Sequence, residues 1–93
     1  MVYGVRMATT VINEAVSVVL VINEVRRTIE PRKVFRRGRE YRLVELGMAH
    51  SERRGTIKQH VFTGSFGPLD MMLRLDSETL AVTLVAVSDG EPG

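Results

Sequence analysis

The sequence predicts an all-β fold, a small antiparallel barrel or sandwich of about seven short strands. Three observations point there. Gly38, Gly47, Gly55, Gly64 and Gly67 divide the middle of the chain into short runs. Several of those runs alternate apolar and polar residues with a period of two. The apolar N-terminal region repeats Val-Ile-Asn-Glu at 11–14 and again at 21–24, and that interval is the spacing of consecutive strands in a sandwich or barrel.

Taken in order, the first strand is expected over 2–12 and a central strand over 16–22. Asn13–Glu14 and Asn23–Glu24 then act as exposed turns, because Asn tolerates left-handed backbone better than most residues. The run Arg36-Arg37-Gly38-Arg39 fits a tight turn with Gly38 at the position needing positive φ. Residues 39–46 alternate in part. Residues 47–55 read as a longer connection, 56–62 as a strand and 63–68 as a Gly/Pro loop. Leu69, Met71, Leu73 and Leu75 then fall on one face of a half-buried strand, with Asp70, Met72 and Arg74 on the other. Asp76-Ser77-Glu78 reads as a turn. Residues 79–87 are apolar on both faces and rich in Val and Thr, as in a central strand. Residues 88–93 read as a frayed polar tail of a single domain spanning 1–93.

The alternative is an α+β domain, with one helix at about 10–29 packed on an antiparallel sheet. Val11, Ala15, Val18, Ile22, Val25 and Ile29 form an apolar seam at helical spacing, Thr10 offers a cap and Pro31 a stop. Two facts oppose it. Twelve of the twenty-one residues from Thr9 to Ile29 are Val, Ile or Thr, which lose rotamer freedom in a helix. The back of that helix would also carry Val16, Leu20 and Val21, and only a second chain would cover it.

Composition narrows the function classes. A chain of 93 residues with 44% hydrophobic and 26% charged residues supports a small core and a soluble globular state. Cysteine is absent, which removes disulfides, thiolate catalysis and cysteine zinc sites. The longest strictly apolar run, 18–22, is far short of the roughly 20 residues that cross a bilayer. The start has no well-formed signal region, so the expected location is cytoplasmic, away from membranes.

Charge is unevenly spread. From Arg26 to Lys58 there are eleven basic side chains and four acidic ones, a net of +7, whereas 68–93 carries one base and five acids, a net of −4. Arg-Arg-Gly occurs at 36–38 and 53–55. Two such tips on one end of a barrel would grip phosphates, with Phe35 and Tyr41 beside the first to stack on an unpaired base. The expected function is therefore a basic nucleic-acid-binding module for DNA or RNA, using Arg26, Arg27, Arg32, Lys33, Arg36, Arg37, Arg39, Arg42, Arg53 and Arg54. The competing expectation is a homo-oligomeric structural or protein-interaction domain, whose exposed strands or apolar N-terminal segment pair with copies of itself or with another protein, while the same charges solubilise the turns, pair with acidic residues and discourage edge pairing.

No catalytic, metal or cofactor site is expected. His50 and His60 are the only histidines, too few for zinc without further ligands at suitable spacing. His50-Ser51-Glu52 has the residue types of acid–base catalysis, but consecutive residues seldom converge. Neither 76–79 nor 88–91 has the spacing of a calcium loop, and 64–67 lacks the Lys and helix of a phosphate loop.

Overall fold

The computed structural model describes residues 9–89, and they form eight β-strands and no helix. The strands are β1 (Thr9–Ala15), β2 (Ser17–Asn23), β3 (Thr28–Arg36), β4 (Arg39–Arg42), β5 (Glu45–Arg54), β6 (Ile57–Ser65), β7 (Leu69–Asp76) and β8 (Val82–Asp89). All pairs are antiparallel. One sheet has the order β1-β8-β7-β6-β5, the other β2-β3-β4.

The two sheets share chain rather than merely stacking. β1 passes into β2 through the single residue Val16, whose N–H donates to the Val82 carbonyl at 3.1 Å. β4 passes into β5 through Leu43 and Val44. The Leu43 N–H donates to Arg32 in the small sheet (2.9 Å) and the Val44 N–H to Ser65 in the large one (2.8 Å). Adjacent amides of an extended chain point to opposite sides, so this segment leaves one sheet and joins the other at that step. β8 pairs back onto β1, Thr9 opposite Ser88. The result is a small flattened barrel of six long antiparallel segments, two of them bent.

The opening repeat resolves into two different devices. Asn13 has φ 52° and sits in the β1 bulge, where the register against β8 shifts between Val11 and Glu14. Asn23 instead closes a turn. Its Oδ1 accepts the Arg26 N–H at 3.0 Å, and its carbonyl accepts the Arg27 N–H at 2.7 Å. The region expected as strands rather than helix is therefore strand, and Pro31 lies within β3, buried, instead of stopping a helix. Proline fits there because β4 ends opposite Lys33, so no ladder donor toward β4 is needed at Pro31.

Other boundaries move. Residues 47–55, expected as a connection, belong mostly to β5. The strand is exposed on both faces over most of its length and so lacks the apolar alternation that marks a strand. β6 extends to Ser65, shortening the expected loop. Ser88 and Asp89 belong to β8 rather than to a tail, and 90–93 lie outside the described residues, as do residues 2–8 of the expected first strand. Two turns have backbones that only their sequences permit easily. Arg37 and Gly38 both have positive φ (52° and 76°), as a type I′ turn requires, and Gly55 (φ 64°) opens the two-residue β5–β6 turn.

The core lies between the sheets: Val34 from the small sheet, Phe62, Met71, Leu73, Leu75 and Leu84 from the large one, and Phe66 from the β6–β7 loop. Alternation in β7 puts Met71, Leu73 and Leu75 inside and Asp70 outside, as its sequence pattern requires. Tyr41 and Leu43 pack against this cluster from the β4 side.

Leu73 is 1% exposed and stands between Phe62 and Leu84 in the ladder. Leu73→Ala is expected to lower unfolding stability by about 2–5 kcal/mol, measured by urea denaturation with an unchanged m-value.

Candidate interaction surfaces

The turns of an antiparallel meander alternate between its two ends. One end carries the β2–β3 turn with Arg26 and Arg27, the β5–β6 turn flanked by Arg53 and Arg54, and the β7–β8 turn. The other carries the β3–β4 turn with Arg37, flanked by Arg36 and Arg39. The two Arg-Arg-Gly tips therefore sit at opposite ends, and the expected shared grip does not form. The partner of Arg53 and Arg54 at their end is the pair Arg26–Arg27. Tyr41 also faces the core rather than the surface, which leaves Phe35 as the exposed aromatic beside the β3–β4 tip.

Half of the ten basic residues are engaged by carboxylates. Arg36 and Arg37 both meet Glu14 at 3.5 Å, Arg32 meets Glu30 at 3.5 Å, Lys33 meets Glu40 at 3.5 Å and Arg42 meets Glu40 at 3.0 Å. Glu14 reaches the β3–β4 tip because the β1 bulge at Asn13 redirects that part of the strand. The hydrogen bond from Arg42, helped by the charge of Lys33, holds the Glu40 carboxyl below its ordinary titration range. These acids come from β1, β3 and β4. Among the described residues the acidic C-terminal region takes no part in the ion pairs. Arg26, Arg27, Arg39, Arg53 and Arg54 have no ion-pair partner among the described residues.

His50-Ser51-Glu52 shows why three adjacent residues on a strand do not converge. His50 and Glu52 share the outward face of β5, and His50 Nε2 lies 3.0 Å from Glu52 Oε2. Ser51 points the other way and meets His60 Nδ1 from β6 at 3.2 Å. His60 in turn stacks on Phe62, with ring centroids 6.5 Å apart. A Ser–His contact and a His–Glu contact thus occur on opposite faces of one strand, with different histidines. No relay joins serine, base and acid. Among the described residues no cluster of three His, Asp or Glu side chains is placed to hold a metal.

The outward face of the large sheet carries a row formed by His50, Val61 and Arg74, and Val61 is only 3% exposed there. Beside it, Gln59 Oε1 and Arg74 Nε are buried without hydrogen-bond partners among the described residues. Farther along this face a shallow concavity of about 390 Å³ is lined by Thr9, Thr63, Ser65, Asp70, Met72 and Ala86, among others. It contains the hydroxyls of Thr9, Thr63, Ser65 and Ser88 and the carboxylates of Glu45 and Asp70, without a histidine, lysine or arginine.

The apolar N-terminal segment, expected as a central strand or as a surface that pairs with another chain, is exposed along β2. Val19, Val21 and Ile22 of β2 are 42%, 38% and 73% exposed, and Val25 in the adjoining turn is 92% exposed. The signal was present in the uncharged run from Ser17 to Asn23. The run is an edge strand of the small sheet and not the central strand expected.

Comparison with protein-family models, with curated proteins and with solved structures finds no match.

The Glu52 carboxyl is held below its ordinary titration range, chiefly by the hydrogen bond from His50. Its depressed value means that the contact favours folding above the ordinary carboxylate range and is lost as pH falls through the lowered value. His50→Ala is expected to move the Glu52 titration upward, toward that of a free glutamate, as followed by carboxyl NMR chemical shifts.

Proposed function

We propose that this protein is a non-catalytic interaction module that assembles with copies of itself. The observation that carries the reading is the exposure of Val19, Val21, Ile22 and Val25 on and beside an edge strand that bears no charge from Ser17 to Asn23. An exposed edge presents unpaired amides and carbonyls, and proteins that stay monomeric normally guard such edges with lysines, prolines, bulges or covering segments. Apolar side chains clustered beside an open edge mark a surface that gains free energy when another chain covers it. Among the described residues no serine, histidine and carboxylate are joined in one relay, and binding is the activity we read from this surface.

Light scattering and sedimentation across a concentration series test this reading. The expected result is a particle heavier than one 10.4 kDa chain. A single-chain mass at several hundred micromolar overturns it.

A second reading is favoured by a separate observation. Arg26 and Arg27 on the β2–β3 turn, and Arg53, Arg54 and Lys58 flanking the β5–β6 turn, lie at one end of the barrel without carboxylate partners among the described residues. That end would bind a polyanion such as DNA or RNA through phosphates. Glu24, Asp76 and Glu78 occupy the same end and weaken its field, which is why this reading stands second. Phosphate contacts predict affinity that falls steeply with salt. Binding to mixed-sequence DNA or RNA that is absent at about 50 mM salt and micromolar protein overturns it.

A further inference from the structure

Building on the self-assembly reading, we infer that two copies join through β2, strand beside strand, about a two-fold axis at Leu20. β2 is a regular seven-residue strand. The irregularity in its pairing with β3 falls on the β3 side, where Arg32 is the extra residue between Pro31 and Lys33. β2 therefore keeps an even alternation along its free edge, and no strand of the described residues pairs with that edge. From Ser17 to Asn23 it contains no charge and no proline, so the side-chain guards against edge pairing are missing from the strand itself.

The sequence of the strand names the occupant. In an antiparallel pair, residues directly opposite each other share a face of the sheet. A strand pairing with its own copy about an axis perpendicular to the sheet must therefore place one residue opposite itself. With Leu20 at that point, Val19 faces Val21 of the second copy, Val18 faces Ile22 and Ser17 faces Asn23. Every apolar residue meets an apolar one and the polar ends meet each other. A centre at Val19 instead sets Ser17 against Val21. A centre at Val21 sets Val19 against Asn23 and Val18 against Glu24. Only Leu20 gives a self-complementary register, and the cross-strand pairs it creates are between β-branched side chains, which pair well on a pleated surface.

This register also covers what the single chain leaves open. Val19 and Val21 close over each other on the outward face. Ile22, 73% exposed at the rim of the inward face, comes beside Val18, which already packs on the core. The two small sheets become one continuous six-stranded sheet. Both free β2 edges are consumed by the same contact, so the assembly closes at two copies rather than growing into a fibre.

The test uses the full chain. The wild-type protein is expected at twice the 10.4 kDa chain mass by light scattering. Val21→Lys places an ammonium in the new seam while leaving the core untouched, and the mass is expected to halve with an unchanged circular dichroism spectrum. The register is read separately, and does not depend on that variant folding. The natural chain has no cysteine, so Val19→Cys and Val21→Cys copies can be co-expressed and oxidised. The mixture is expected to give covalent dimer several-fold above either variant alone, since only the unlike pair stands directly opposite. A Val21→Lys protein that remains dimeric, or cross-linking that is no greater in the mixture, overturns the β2 seam. Open-ended wild-type polymers overturn the two-fold closure. A wild-type dimer unaffected by these changes defeats this inference alone, whereas a wild-type monomer defeats the self-assembly reading with it.

Discussion

Two bent strands hold the architecture together. At Val16 and at Leu43–Val44 the chain leaves one sheet and enters the other without a loop, and backbone hydrogen bonds to Val82, Arg32 and Ser65 fix both corners. Because each bent strand serves both sheets, the sheets cannot separate without breaking ladders on both sides of the corner. The core can then be small. Phe62, Leu73, Leu84 and Val34 suffice because the layers they join are already tied by covalent chain. The corners also decide what remains open. Where a strand turns into the next sheet, the neighbour it leaves behind is not replaced, and β2 and β5 become edges.

Strand alternation governs the polar chemistry as firmly as it governs the core. It sends His50 and Glu52 to one face and Ser51 to the other, so residue types that look catalytic in a line are separated by the thickness of a sheet. It likewise puts Lys33 and Arg42 in one row beside Val19, where Glu40 bridges the two cations. The basic middle of the chain is thus partly neutralised by acids from within its own sheet and from β1. A net charge counted along sequence overstated the field that a ligand would meet.

Much of the fold was legible and much of the surface was not. The β7 pattern at 69–75 placed Met71, Leu73 and Leu75 correctly, because a half-buried strand prints its burial directly into sequence. The Val, Ile and Thr content of 9–29 favoured strands over a helix for a local reason, side-chain branching, that holds before any tertiary contact forms. β5 escaped notice because a strand exposed on both faces has no such imprint. The corners were invisible too: nothing in Ala15-Val16-Ser17 distinguishes a change of sheet from a continued strand. The candidate basic site was legible as a list of residues but not as a surface, since which arginines share an end depends on counting turns correctly.

The pairing of β1 with β8 has a consequence in time rather than space. Thr9 finds Ser88 across nearly the whole described chain, so the ladder that closes the barrel is also the contact most distant in sequence. Loop-closure entropy makes such contacts slow to form, and folds dominated by them fold slowly. On the ribosome β1 and β2 emerge first and β8 last. Through that interval the uncharged run from Ser17 to Asn23 is held only by its hairpin with β3, and it can meet the same run on a neighbouring nascent chain. Among the described strands, the order of synthesis therefore exposes the uncharged apolar run early and supplies the closing strand last.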